Sequence, residues 1–301
     1  MLDYIIIFLS VICFAAQFAF TKLFEQSVKQ SMVTTFVMLI VTGLSGAVIF
    51  LAAGGFQVRF SWVSTVWAVI MACIMIPYYM LGIKVLSIGS VAVYSMFMML
   101  GGMLVPFFYG ILFLQETVSV GKLLGTAFLT GFMILQAVGE KQPQAEMAHK
   151  KRKWLFFFLC LLIFFINGLT GVVTKAHAMS EGAVDETSFV AIYCAMTAIL
   201  GGAFLAGSLL KNKADVCAQM KSTWKKKPLV SMVLLGTAAY TGNFLQLLAA
   251  DKVPASVQFP LVSGGVIVLS AVVSVLFKER LTKREWISVA GAFTATFLFA
   301  F

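Results

Sequence analysis

Residues 32–53 read MVTTFVMLIVTGLSGAVIFLAA, a run of 22 residues without one charged side chain. A helix needs about 20 mostly apolar residues to cross the hydrocarbon of a bilayer, so this run is long enough to span. A transmembrane β-strand would alternate in polarity over about ten residues, whereas this run is apolar over twice that length. In lipid every backbone polar group must be satisfied within the chain, which makes the run a helix.

The same pattern recurs on both sides. Spans are expected near residues 4–22, 32–53, 62–82, 90–114 and 119–138. After a polar linker from Glu140 to Lys153 they resume near 155–175, 187–208, 228–248, 255–277 and 284–301. The fold class expected is all-α integral membrane, with ten transmembrane helices. Of the 301 residues 61% are hydrophobic and 11% charged, and the mean hydropathy is +0.99, more apolar surface than a soluble core could cover. The first run follows Met1-Leu2-Asp3-Tyr4 without a basic segment or a small-residue cleavage pattern, so it is expected to be a retained helix and not a signal. The five cysteines are scattered singly and suggest neither a disulfide framework nor a metal site; they read as packing residues.

The two halves echo one another. The first run closes on Gln17-Phe18-Ala19-Phe20-Thr21-Lys22 and the sixth on Thr170-Gly171-Val172-Val173-Thr174-Lys175. Gly101-Gly102 and Glu116 recur as Gly264-Gly265 and Glu279, each displaced by 163 positions (264 from 101, 279 from 116). The longer loop Lys211–Lys227, set against Gly54–Ser61, absorbs the smaller displacement of the Thr-Lys pair. Residues 1–139 thus form one expected repeat and 154–301 a second, joined by a linker at 140–153. Each holds an odd number of spans, so the second is inverted relative to the first, giving two inverted five-helix repeats.

Basic residues fix the expected orientation. One set of loops holds 18 of the 22 Lys and Arg, including Lys150–Lys153, Lys225–Lys227 and Lys278–Arg284. The other set keeps Arg59, Lys122, Lys175 and Lys252 beside the acidic loop of Glu181, Asp185 and Glu186. The positive-inside rule places the basic loops in the cytoplasm and both termini outside a cell membrane. The net charge of +10 is then a topology signal, and no nucleic-acid partner is expected.

This arrangement resembles the drug/metabolite transporter superfamily, in its ten-helix group with two EamA-type repeats. The resemblance rests on Thr21-Lys22 and Thr174-Lys175, on the stretch from Tyr78 through Gly101-Gly102 and Pro106 to Glu116, and on the stretch from Tyr240 through Pro254 and Gly264-Gly265 to Glu279. Leu269 stands where Pro106 would recur, and outside termini are opposite to the usual orientation of that group. The resemblance implies a carrier of small organic metabolites working by alternating access, with a central cavity ringed by the first, third, fourth, sixth, eighth and ninth spans. It also implies alternatives in the same fold, namely carriers of nucleotide sugars or lipid-linked substrates.

All twelve carboxylates fall in loops or at helix ends, so no midplane acid is expected to couple transport to protons. Substrate contacts are expected from neutral groups within spans: Gln17, Tyr78, Tyr79 and Tyr94 in the first half, Asn167, Thr170, Tyr240, Asn243, Gln246 and Gln258 in the second. Interhelical hydrogen bonding without recognition is the other reading of these groups. Lys22 and Lys175 either snorkel to headgroups or guard a cavity mouth. Glu116 and Glu279 are surface turn charges or, with basic neighbours such as Lys122 and Lys283, a latch on one face. Gly101, Gly102, Gly264 and Gly265 permit close helix approach, and Pro77, Pro106 and Pro260 favour kinks, so both sets are packing or hinge candidates. Amino acids or other zwitterionic or neutral solutes are the expected cargo. The histidines, His149 in the linker and His177 just past a span, form no catalytic or metal cluster, so no enzyme, cofactor, metal or obligate protein partner is expected.

Overall fold

The computed structural model of the chain describes residues 2–115, 119–137, 147–250, 253 and 255–299. Eleven helices account for nearly all of them: α1 (Leu2–Ser27), α2 (Met32–Ala53), α3 (Trp62–Leu86), α4 (Val91–Leu114), α5 (Val120–Ala137), α6 (Met147–Ala178), α7 (Glu186–Lys211), α8 (Lys213–Thr223), α9 (Lys226–Ala250), α10 (Ala255–Leu276) and α11 (Lys283–Phe299). Helices occupy all ten expected apolar stretches. Among the described residues seven of them, α1 to α4, α6, α7 and α9, are long and apolar enough to cross a membrane, and α5 and α10 carry the apolar stretches Val120–Phe132 and Leu261–Leu276.

Large apolar side chains also cover the outside of the bundle. Phe8, Val48, Leu112, Phe113, Phe158 and Ile199 are all more than half exposed, on five different helices. Water-soluble chains rarely expose apolar surface on this scale, so the solvent of these faces is lipid. The chain is a helical membrane protein.

Local chemistry sets the helix ends. Ser31 caps α2, its hydroxyl accepting from the Thr34 N–H while the Thr34 hydroxyl accepts from the Ser31 N–H. Ser90 caps α4 and Asp185 caps α7 in the same sense. The loop expected between Lys211 and Lys227 instead contains α8. Asn212 leaves helical geometry with φ −150° and caps the new helix, whose polar sequence carries no span-like pattern to betray it. Part of the expected linker is helical too, because α6 begins at Met147; residues 138–146 lie outside the described ones.

Packing runs chiefly between the first five helices and the rest. α1 lies along α9 and α10, α2 along α7 and α9, α3 along α6 and α7, α4 along α6 and α10, and α5 along α11, while α8 rests on α2 and α7. Glycines set two of these crossings. A Cβ on Gly101 would lie 2.1 Å from the Phe164 carbonyl oxygen, and one on Gly168 would meet the Val105 side chain at 2.3 Å, so α4 and α6 touch backbone to backbone. At the α2–α7 crossing a Cβ on Gly43 would meet the Cys194 carbonyl oxygen at 2.7 Å. Gly264 and Gly265 meet side chains: a Cβ on Gly264 would lie 2.6 Å from the Thr296 hydroxyl oxygen, and one on Gly265 2.9 Å from the Val11 side chain.

Candidate functional site

A cavity of about 270 Å³ lies among α1, α3, α4, α6, α7, α9 and α10. Gln17 reaches it from α1, Tyr78 and Tyr79 from α3, Asn167 and Thr170 from α6, and Tyr240, Asn243 and Gln246 from α9. Eight of the ten expected substrate contacts therefore meet in one place. Tyr94 and Gln258 do not line it. Tyr94 is buried with its ring edge against Phe18, at a centroid separation of 5.5 Å, and its hydroxyl fills the space beside Gly82. Gln258 is also buried, where its amide donates to the Gln246 carbonyl.

Several lining groups were not anticipated. Met71 and Met75 stand one turn apart on α3, and Met98 and Met99 are adjacent on α4. Tyr193, Thr174 and Ser263 complete the polar wall. Methionine in an apolar run reads as lipid-facing or core, and only the helix rotation distinguishes these four.

Hydrogen bonds fix the wall. The Asn167 amide donates to the Met98 carbonyl at 2.7 Å across the α4–α6 crossing, in the space that Gly102 leaves. Asn243 donates to the Ala239 carbonyl at 2.9 Å. The Tyr78 hydroxyl points at the Met98 sulfur, 3.4 Å away. Gly171, also in the wall, sits beside the Pro106 ring, so that proline packs at the crossing. Both α3 and α4 run through their prolines, Pro77 and Pro106. Pro260 falls within α10, its side chain outside the described ones. No charged side chain lines the cavity among the described residues.

The cavity ends short of the face where α1, α3 and α10 finish and α4 begins. A polar network occupies that face. Lys22 is 9% exposed; its ammonium donates to the Leu86 carbonyl at 2.6 Å and forms ion pairs with Glu279 at 3.2 Å and Glu25 at 3.7 Å. The other Glu279 oxygen accepts from the Val91 N–H at 2.8 Å, at the positive end of α4. Ser90 donates to Glu285 at 3.2 Å, the Ala92 N–H donates to Ser274 at 2.8 Å, and the Ser95 and Ser270 hydroxyls bond to each other. Lys22 thus does not snorkel, as its place at the end of a run suggested. An acid far along the chain supplies a buried partner, and that partner of Glu279 is Lys22, not the neighbouring Lys283. Lys175 lies in the last turn of α6, and Glu116 lies outside the described residues.

A different network closes the opposite ends of α3, α6 and α7. His177 is in the final turn of α6 and not past it, stacked on Phe189 with ring centroids 3.8 Å apart. Its Nε2 is 2.9 Å from the Ser64 hydroxyl, which also accepts from the Val184 N–H at 3.0 Å. Trp67 donates to Ser180 at 3.0 Å. Asp185 caps α7 through the Ser188 N–H and hydroxyl, each 3.0 Å away. Burial pushes the Asp185 carboxyl up; the Ser188 N–H and hydroxyl, its own N–H and Arg59 together outweigh it and hold the pKa below the ordinary 3.8.

No family model matches the chain, and no curated protein matches it. Twenty-one chains of solved structures do. One of them, described only as a crystal structure of a protein, is 17% identical and superposes with a TM-score of 0.58 over 98% of this chain and 95% of its own. At that identity the likeness is one of fold. The arrangement of helices described above therefore recurs, end to end, in a protein of nearly the same extent.

Proposed function

We propose that the chain is a ten-helix carrier of small organic metabolites that works by alternating access, as its resemblance to EamA-type drug/metabolite transporters implies. The observation that carries this reading is a cavity among seven helices whose described lining is uncharged, with the Lys22–Glu279 network lying beyond one end of that lining. A carrier needs a site that one end of the bundle can close over while the other admits solute.

The helix pairings support the inverted repeat. Setting aside α8, exchange of each of the first five helices with its counterpart in the second set turns α1–α9 into α6–α3, α4–α6 into α10–α1 and α2–α9 into α7–α3. All of these are packed pairs. The α2–α7, α4–α10 and α5–α11 pairs map onto themselves. Such self-consistency favours two near-equivalent packings that interconvert.

With the basic loops in the cytoplasm, the Lys22–Glu279 end is cytoplasmic and both termini are outside. Nucleotide sugars fit this reading poorly, because their phosphates call for cationic side chains and the cavity wall has none among the described residues. The test is counterflow of radiolabelled neutral and zwitterionic metabolites in liposomes containing the purified protein. Exchange above protein-free liposomes is expected; none across a broad panel would overturn the carrier reading. A reporter active only in the cytoplasm, fused after Phe301, is expected to be silent, and strong activity would reverse the orientation.

A further inference from the structure

We infer that the cavity binds an uncharged solute with a flat aromatic ring and a hydrogen-bond donor edge, which deepens the carrier reading and rests on it. Three features of the wall point to this class.

The first is charge. No ionised group lines the cavity among the described residues, and its polar groups are hydroxyls and amides set among thioethers, rings and small aliphatic groups. A carboxylate or ammonium entering such a site gives up its hydration without a counter-charge, and that cost is large. An uncharged solute avoids it.

The second is shape and softness. Met71, Met75, Met98 and Met99 supply four thioethers from α3 and α4, in a wall that also includes Tyr78 and Tyr240. Methionine sulfur is attracted to aromatic rings and its side chain adapts to their outline. Tyr78 and Tyr79, with ring centroids 5.2 Å apart and edge to face, add two aromatic rings to the same wall. At about 270 Å³ the space falls at the small end of ligand pockets, the size for one ring system and a short substituent.

The third is polarity of the hydrogen bonds. Asn167 and Asn243 each commit an amide N–H to a helix carbonyl. The amide planes are thereby fixed, and each carbonyl oxygen, without a partner among the described residues, can accept from an N–H or O–H on the solute.

The experiment compares four probes that share one ring and differ in charge: indole-3-acetamide, indole-3-acetate, tryptamine and tryptophan. Binding to the protein in nanodiscs is measured by titration calorimetry against empty nanodiscs, and counterflow in liposomes is measured with the same probes. The neutral amide is expected to bind at least tenfold more tightly than each charged or zwitterionic relative. Met98→Leu, which keeps the volume and removes a thioether, is expected to weaken that binding by about two- to tenfold. Cyclohexylacetamide, uncharged but not aromatic, is expected to bind more weakly than the indole amide. Tighter binding of tryptophan, the acid or the amine would overturn the charge argument while leaving transport intact. Equal binding of the cyclohexyl amide would overturn the aromatic one. Binding of the neutral amide without counterflow would uphold the solute class and count against the carrier.

Discussion

The Lys22 ammonium lies 3.2 Å from the Glu279 carboxylate and joins two residues from opposite halves of the sequence at one end of the bundle. Both side chains are nearly buried, and each holds a backbone group of another helix as well. Removing one partner leaves the other charge enclosed. Glu279→Gln and Lys22→Met are each expected to lower unfolding stability by about 3 kcal/mol. The double variant Lys22→Met, Glu279→Gln should cost less than the two singles added together. Additive losses in thermal unfolding would show that the pair is not coupled.

The glycine crossing gives a matched pair of tests. Gly101→Ala would place a Cβ against the α6 backbone and is expected to destabilise by at least about 2 kcal/mol. A Cβ at Gly131 on α5 has nothing within 4 Å, so Gly131→Ala should be neutral or stabilise by up to about 1 kcal/mol through helix propensity. Unfolding curves in detergent would distinguish the two, and similar losses would contradict the tight crossing.

Asp185 sets a pH dependence at the other end. Its folded pKa lies below 3.8, so the stability it contributes is complete above that value and is lost as pH falls through the lower folded value. Asp185→Asn is expected to flatten the loss of stability below about pH 4. Asp185→Ala should also cost about 1 kcal/mol at neutral pH as a lost cap. An unchanged acid limb in the Asn variant would move that dependence to other groups.

Filling the cavity should stop its function and spare the fold. Thr170 lines it, and its hydroxyl donates to the Asn167 carbonyl of its own helix at 2.6 Å. Thr170→Trp is expected to abolish counterflow while thermal unfolding shifts by no more than a few degrees. Full exchange by this variant would place the solute path elsewhere.

Much of this was legible in the sequence because polarity within an apolar run is conspicuous. Gln17, Asn167 and Asn243 stand out for that reason, and all three reach the cavity. Tyr94 and Gln258 stand out equally and do not line it, since a residue's position in a run fixes its depth and not the direction it faces. The four methionines failed from the other side: they look like their neighbours, and only the rotation of α3 and α4 singles them out. The Lys22–Glu279 pair was half visible, each member noted for itself. Their sequence separation hid the contact, and no local spacing connects them. α8 escaped because an eleven-residue polar helix between two spans has the composition of a loop.

Helix α4 is held at its start by Glu279 on the Val91 N–H, and at its middle by the glycine crossing with α6. Met98 and Met99 lie between those two attachments, on the stretch whose wall faces the cavity. The contact that joins α4 to Glu279 and the thioethers that border the cavity are therefore carried on one continuous stretch of helix, less than three turns long.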